Sequence, residues 1–302
     1  MSFNLDNIPS QKGKIAIVTG ANSGLGKEIT IGLAKKEFKV IMACRNQSKA
    51  ESAKAEVLSQ VNSADIEIML LDLNSLKSVR SFSTTFAEKY DSLDLLIENA
   101  GIMIPPLAKT EDGFESQMGV NYFSHFLLTN LLYPILNKTE GARIATTSSL
   151  AHERGRIDFD NLNAEISYSK IGAYGQSKLA CLLFAYELKR RLEKAGSNVI
   201  AVSSHPGVSK TNLFTNIPIL AQFLMAPFIP IFTHPPKYAA LPTLYAALGP
   251  DVKSGDYFGP TGFNGMKGKP GKVKSKPHSY DQKIASELWD VSEKLTGEKF
   301  VL

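Results

Sequence analysis

The chain reads as an α/β protein built on one doubly wound parallel sheet with helices on both faces. Three features of the sequence predict this. Short β-rich runs alternate with longer amphipathic stretches along the first two thirds of the chain. Most of the short runs are apolar almost throughout, the pattern of strands buried on both faces of a parallel sheet. The first of them leads through a glycine turn into a helix. Repeated β-α units of this kind imply right-handed crossovers and helices on the two sheet faces.

In chain order the predicted strands are Lys14–Thr19, Lys39–Ala43, Ile66–Leu71, Leu93–Ile97, Ala142–Thr147 and Asn198–Ser203. The stretches between them carry apolar residues at helical spacing. They predict helices over Leu25–Lys36, Gln47–Gln60, Ser75–Lys89, Glu111–Leu136 and Ile171–Lys194. After about residue 204 the rhythm changes. Pro206, Pro218, Pro227, Pro230, Pro235 and Pro236 divide the chain into short pieces. A short strand is expected near Tyr257–Phe258 and a final helix from about Ser279 to Lys294. No linker separates these parts. The expectation is one domain over 1–302, with a core over about 12–203 and a lid and C-terminal elements over about 204–302.

The 302 residues include 43% hydrophobic ones, ample for a core and unlike a disordered chain. The formal net charge of +5 suits an anionic cofactor. No aromatic-basic motif accompanies it, so a nucleic-acid partner is not expected. Cys44 and Cys181 lie in separate elements without metal-like spacing, so no metal site is expected and a reduced, cytoplasmic setting is. Residues Met1–Lys14 lack the pattern of a signal peptide. The apolar stretch Leu220–Phe232 contains Gln222, Pro227 and Pro230 and is too short to span a bilayer.

Two motifs carry the chemistry. Gly20-Ala21-Asn22-Ser23-Gly24-Leu25-Gly26 follows a strand and opens a helix. Glycines allow a tight turn and close approach to phosphate oxygens, and the helix N-terminus offers unpaired N–H groups to a pyrophosphate. The second strand then ends at Cys44-Arg45-Asn46. An acidic residue near this point would hold the ribose 2′-hydroxyl of NAD. Here the guanidinium of Arg45 suits a 2′-phosphate, so NADP(H) is expected. Asp72-Leu73 ends the third strand, where the carboxylate could accept from the adenine amino group or begin the next helix. Asn99-Ala100-Gly101 follows the fourth strand with residues small enough for the backbone to pass close to a cofactor.

Far downstream, Tyr174 and Lys178 sit four residues apart in Tyr174-Gly175-Gln176-Ser177-Lys178. On a helix they share one face. A fixed positive charge beside a phenol favours its ionised form, which suits proton exchange with a carbonyl or alcohol.

In these residues the chain resembles the short-chain dehydrogenase/reductase family. The matching motifs are Thr19-Gly20, Gly24 and Gly26, then Asn99-Ala100-Gly101, Asn121, Ser149, Tyr174 with Lys178, and Pro206-Gly207. They stand in the family's order over roughly residues 12–215. Within the family the chain looks most like the retinol dehydrogenase-related, NADP(H)-dependent branch. Met42 to Asn46, Asn121 to Phe126, Ser148 to His152, His205 to Val208 and the long spacing from Ser149 to Tyr174 carry that likeness.

The resemblance implies a single-domain Rossmann fold and roles by position. Tyr174 would be the catalytic acid and base, with Lys178 promoting loss of its proton and binding the nicotinamide ribose. Ser149 would hydrogen-bond the substrate oxygen, its neighbour Ser148 being the alternative. Asn121 would hold a water that relays protons to Lys178. Pro206, Gly207, Val208 and Thr211 would border the cofactor. Two departures stand out. Glu98 replaces a second asparagine common in relatives, and the chain lacks the apolar N-terminal anchor of membrane-bound relatives.

The expected activity is hydride transfer between NADP(H) and a carbonyl or alcohol. The alternative is a non-catalytic nucleotide sensor or scaffold on the same fold. The apolar segment Asn212–Phe232 is either a substrate lid, favouring a hydrophobic ketone or aldehyde, or an oligomer or core contact. A homodimer or homotetramer through the two long helices is expected by analogy with relatives. His125, His152 and His205 read as packing or hydrogen-bonding residues, and Cys181 as buried packing. The five lysines from Lys267 to Lys276 read as a solvated surface loop.

Overall fold

A computed structural model describes residues 3–208 and 235–302. The elements, in order, are β1 (Ile15–Thr19), α1 (Gly24–Ala34), β2 (Lys39–Cys44), α2 (Gln47–Gln60), β3 (Asp65–Leu70), α3 (Leu76–Lys89) and β4 (Leu95–Glu98). Next come α4 (Ser116–Met118), a π-turn over Gly119–Phe123, α5 (Ser124–Lys138), β5 (Arg143–Thr147), α6 (Lys170–Ala195) and β6 (Ile200–Ser204). The C-terminal part holds α7 (Pro236–Ala239), α8 (Leu241–Leu248), β7 (Tyr257–Gly262), β8 (Lys267–Lys272) and α9 (Gln282–Thr296).

The strands form one sheet in the order β3-β2-β1-β4-β5-β6-β7-β8. All neighbours are parallel except the antiparallel pair β7 and β8. Successive side chains leave a strand on opposite faces, and the core divides accordingly. From β1, Ile17 joins the core shared with α3, α5, α6 and α9, while Ala16 and Val18 join that of α1, α2 and α8. The strand order reverses between β1 and β4. Open α/β sheets place their ligand crevice beyond the carboxyl ends of the strands at such a point.

The expected strands and long helices are present, with boundaries shifted by a few residues. Three differences have physical causes. The helix expected over Glu111–Leu136 starts only at Ser116, where the Glu115 carboxylate accepts from the backbone N–H of Gln117 and Met118. Residues 267–272 are not a loop but the edge strand β8, pairing Phe258 with Lys272 and Pro260 with Pro270. Proline is tolerated on a sheet edge, and lysines there discourage pairing with another chain. The apolar helix α8, hidden in the proline-rich region, packs on β7 and β5. The apolar segment 212–232 and Thr211 lie outside the described residues.

The helix α9 closes the structure over α5 and α6. Trp289 is 1% exposed, with ring centroids 5.1 Å from Phe126, 5.8 Å from Phe184 and 4.9 Å from Phe300. Tyr122 OH and Ser292 Oγ, 2.8 Å apart, tie the same contact. The Phe126 and Phe184 side of the two long helices is thus covered by the chain itself. Truncating an aromatic ring this deeply packed costs about 3–5 kcal/mol. Trp289→Ala is therefore expected to lower the urea-unfolding free energy by about that amount, read from the midpoint shift at constant slope.

Candidate active site

At the β1–β4 switch point the glycine turn and the Asn99-Ala100-Gly101 segment interlock. Thr19 ends β1, and its Oγ1 accepts from Asn99 N at 3.0 Å and Ala100 N at 2.9 Å. Asn99 Nδ2 donates to Thr19 O at 2.9 Å. Glycine is required at two places. Gly20 has φ +65, and a Cβ on Gly26 would lie 2.3 Å from Gly20 O. A side chain there would push the turn apart. Cys44 is buried below the turn, where its sulfur meets the backbone N–H groups of Ala21 and Asn22 and burial pushes its thiol up to about 11. Cys44 therefore supports the turn.

A cleft of about 1030 Å³ opens above these groups. Its floor is the turn Gly20, Asn22, Ser23, Gly24, Leu25 and Gly26. Beside it Arg45, Asn46 and Lys49 line the end of β2 and the start of α2. Asn46 Oδ1 caps α2 by accepting from Lys49 N. Arg45 is largely exposed, with Nη1 4.0 Å from Asp72 Oδ1. Asp72 also accepts from Asn74 N at 2.9 Å, so it shapes the turn before α3 while lining the cleft with Leu73. A polar, glycine-floored trough at a helix N-terminus fits the pyrophosphate of a dinucleotide. Asn99 Oδ1, buried and without a hydrogen-bond partner among the described residues, is consistent with a ligand that donates to it.

At the far end of the cleft stand Tyr174, Lys178, Ser149 and the Pro206-Gly207-Val208 turn. Tyr174 is half-buried in the second turn of α6, which Ser169 caps by accepting from Gly172 N. Lys178 is 5% exposed. Its Nζ donates to Thr147 O at 2.9 Å and lies 6.0 Å from the Tyr174 ring centroid. A Cβ on Gly101 would stand 3.4 Å from that ammonium, so Gly101 keeps the space in front of it open. The two serines separate by partner. Ser148 is buried and its Oγ donates to Lys178 O at 2.8 Å. Ser149 is half-buried, and its Oγ accepts from Ala151 N at 3.2 Å, leaving its own hydrogen to donate.

Asn121 sits in the π-turn, a distortion often found at functional sites. Its Oδ1 accepts from Ile102 N at 2.8 Å, and its Nδ2 donates to Ile102 O and Ser177 Oγ. Its backbone carbonyl faces His125 Nδ1 at 3.0 Å and accepts from Cys181 Sγ. A carbonyl only accepts, so Nδ1 of His125 carries the hydrogen. Nε2 then takes the Thr19 hydroxyl, 3.0 Å away. Burial lowers His125 to about 4 and it is neutral. Below Lys178 lies Glu98, 4% exposed, accepting from Thr129 Oγ1 at 2.6 Å. Burial pushes its carboxyl up to about 8, partly opposed by Thr129 and Lys178.

Sequence reasoning missed several residues that line the cleft: Lys49, Ile102, Met103, Pro105 and Val120. Lys49 was findable, being four residues after Arg45 and in the first turn of α2. Ile102 and Met103 follow Gly101 and Val120 precedes Asn121, but their apolar side chains carry no local signal for a cofactor cleft. Among the described residues no group of three or more His, Cys, Asp or Glu could hold a metal. No described helix is long and apolar enough to cross a membrane.

The family described as short chain dehydrogenase matches residues 14–219. The chain belongs to that family. It is 40% identical over 292 residues to human retinol dehydrogenase 13, covering 94% of this chain and 85% of that protein. It is 38% identical over 304 residues to zebrafish polyprenol dehydrogenase, covering 99% and 91%. The crystal structure of an uncharacterized protein from Mycobacterium paratuberculosis superposes with TM-score 0.84 at 39% identity, covering both chains fully. A short-chain dehydrogenase of Shigella flexneri complexed with NADP shares the fold at TM-score 0.64 and 21% identity, over 82% and 96% of the two chains. The short-chain dehydrogenase fold with a nicotinamide-type cofactor cleft, and the retinol dehydrogenase branch, are thus established for this oxidoreductase.

Glu98 gives a stability test. Its folded-state value, about 8, lies above the usual 4.5. The stabilisation from holding that proton is full below about 4.5 and is lost as pH rises through about 8. Glu98→Gln removes the titration and keeps the shape. Between pH 5 and 8 the variant's stability should climb relative to the natural protein by up to about 1.4 kcal/mol per pH unit, then level off. A stability difference that stays constant across this range would contradict the assignment.

Proposed function

We propose that this short-chain dehydrogenase is an NADP(H)-dependent carbonyl reductase and alcohol dehydrogenase acting on hydrophobic ketones, aldehydes or alcohols. The observation that carries the reading is the buried ammonium of Lys178, fixed by Thr147 O beneath the Tyr174 ring on the same cleft wall as Ser149. Bound NADP(H) supplies or accepts the hydride. The Tyr174 hydroxyl gives its proton to the carbonyl oxygen in reduction and takes it back in oxidation. The Ser149 hydroxyl donates to the same oxygen as charge develops there. Lys178 keeps two N–H groups for the ribose and for proton exchange, its third being held by Thr147. Asn121 pins Ile102 beside it. The relay water implied for Asn121 would compete with His125 and Cys181 for its carbonyl.

Three features support the cofactor and substrate. Arg45 and Lys49 stand together where a 2′-phosphate would lie, with no carboxylate on β2 to hold a 2′-hydroxyl. Segments flanking the cleft expose apolar side chains: Ile171, three residues before Tyr174, is 68% exposed, Ile166 is exposed in the preceding loop, and Leu107 is exposed two residues after Pro105, which lines the cleft and accepts from Tyr168 OH. The relatives are named for retinol and polyprenol, both long apolar alcohols. A cytoplasmic location, and a dimer or tetramer, belong to the same proposal.

Tyr174→Phe should cost at least about 100-fold in kcat on a hydrophobic aldehyde, the low end of general acid–base contributions, with NADPH binding little changed. Retention of most activity would remove Tyr174 from the acid/base role. For cofactor choice, charge-assisted hydrogen bonds from Arg45 are each worth about 1.5–3 kcal/mol. Arg45→Ala should therefore lower kcat/KM with NADPH by about tenfold to a few hundredfold and hardly touch the value with NADH. Equal losses with both cofactors would make Arg45 structural.

A further inference from the structure

Directly behind Ser149 two buried polar atoms have no hydrogen-bond partner among the described residues: Nε2 of His152 and the hydroxyl of Tyr257. The two side chains are 1% and 3% exposed. They come from separate elements, the 3₁₀ turn Leu150–Arg154 and the first residue of β7. Their rings meet edge to face, with centroids 5.7 Å apart. A buried donor and a buried acceptor left unpaired both forfeit their hydration, so such a pair calls for an explanation.

The chemistry of the two atoms is complementary. His152 Nδ1 lies 2.6 Å from Ser149 O. A carbonyl only accepts, so Nδ1 carries the hydrogen, and burial disfavours the charged ring. Nε2 is then an acceptor. Burial keeps the Tyr257 phenol protonated, so it is a donor. Ser148 Oγ acts on the same phenol, but its hydrogen is committed to Lys178 O. It therefore adds a further acceptor without an aligned hydrogen bond to Tyr257.

We propose that Tyr257 OH and His152 Nε2 share one buried water molecule, which ties β7 to the turn bearing Ser149 and makes both side chains positioning residues for its hydroxyl. The water accepts from Tyr257, donates one hydrogen to His152 Nε2 and has the second for Ser148 Oγ. Three partners are the usual complement of a buried water. His152 in turn holds the Ser149 carbonyl, so the bridge fixes the backbone from which the catalytic hydroxyl projects. The Tyr257 ring also lies 5.2 Å from that of His205, whose Nδ1 accepts from Gly207 N at 3.3 Å. One phenol on β7 thus registers both the serine turn and the Pro206-Gly207 turn across the cleft. The catalytic half of this inference rests on the role proposed for Ser149; the water bridge does not.

A double-mutant cycle tests it. His152→Asn keeps a donor for Ser149 O and deletes the Nε2 acceptor; Tyr257→Phe deletes only the hydroxyl. Each single variant should lower the unfolding midpoint, and the double variant should lose less than the sum, because both release the same water. Each should reduce kcat, by at most about the 100-fold cost of an ångström-scale misplacement, with NADPH affinity unchanged. A Tyr257→Phe protein more stable than the natural one would mean that the hydroxyl is simply unpaired, and additive losses would mean that the atoms share nothing; either overturns the bridge. A high-resolution crystal structure should show solvent density bonded to both atoms, and a direct Tyr257 to His152 hydrogen bond would replace the water. If no carbonyl turnover is found at all, the proposed function fails while the stability cycle still decides the bridge.

Discussion

The ammonium of Lys178, buried and bonded to the Thr147 carbonyl, is the constraint around which the site is arranged. A charge taken out of water is costly unless hydrogen bonds replace its hydration. The end of β5 supplies one such bond and thereby sets how far α6 can rotate against the sheet. That in turn sets the direction of Tyr174, one turn earlier on the same face. Ser148 fastens the same point from the other side by donating to Lys178 O. Helix α6 is buried almost continuously from Gly175 to Leu188, so it has no freedom to relieve the constraint.

Beneath this cation the protein has placed polar groups and kept most of them uncharged. His125 is neutral through burial and passes a hydrogen bond from the Asn121 carbonyl to Thr19. Cys181 donates to the same carbonyl and burial pushes its thiol up to about 11. Glu98, where the family resemblance implies asparagine, is kept protonated near neutral pH by burial, against the opposing pull of the Thr129 hydrogen bond. A protonated carboxyl resembles a side-chain amide in size and in offering both a donor and an acceptor. That equivalence explains how glutamate can stand at this position without an unpaired buried charge.

The two ends of the cleft are connected through Thr19. Its hydroxyl receives Asn99 and Ala100 and meets His125, so the glycine turn under the cofactor trough and the π-turn beside Lys178 belong to one hydrogen-bonded layer. The C-terminal elements add a second brace. β7 reaches the serine turn through Tyr257 and His152, while α9 seals α5 and α6 from outside. The cleft is thus a shared product of the sheet's carboxyl edge and of segments far apart in sequence.

The sequence by itself determined the doubly wound sheet, because apolar runs and glycine turns are local signals with a fixed geometric meaning. It also determined the pairing of Tyr174 with Lys178, since the helical repeat alone puts them on one face, and the glycine floor from Gly20 to Gly26. Tertiary structure decided what local patterns cannot carry. It chose between Ser148 and Ser149 as the hydroxyl with a hydrogen to spare, because only the fold brings Lys178 O to Ser148. It turned the lysine-rich stretch into the edge strand β8, since strand pairing depends on a partner far along the chain and not on the run's own composition. It gave Cys44 a place under the glycine turn and decided which hydrogen bond His152, read as a packing or hydrogen-bonding residue, makes: the one that supports the Ser149 carbonyl. Each of these rests on a contact between residues distant in sequence, where hydrogen bonds and burial decide and periodicity is silent.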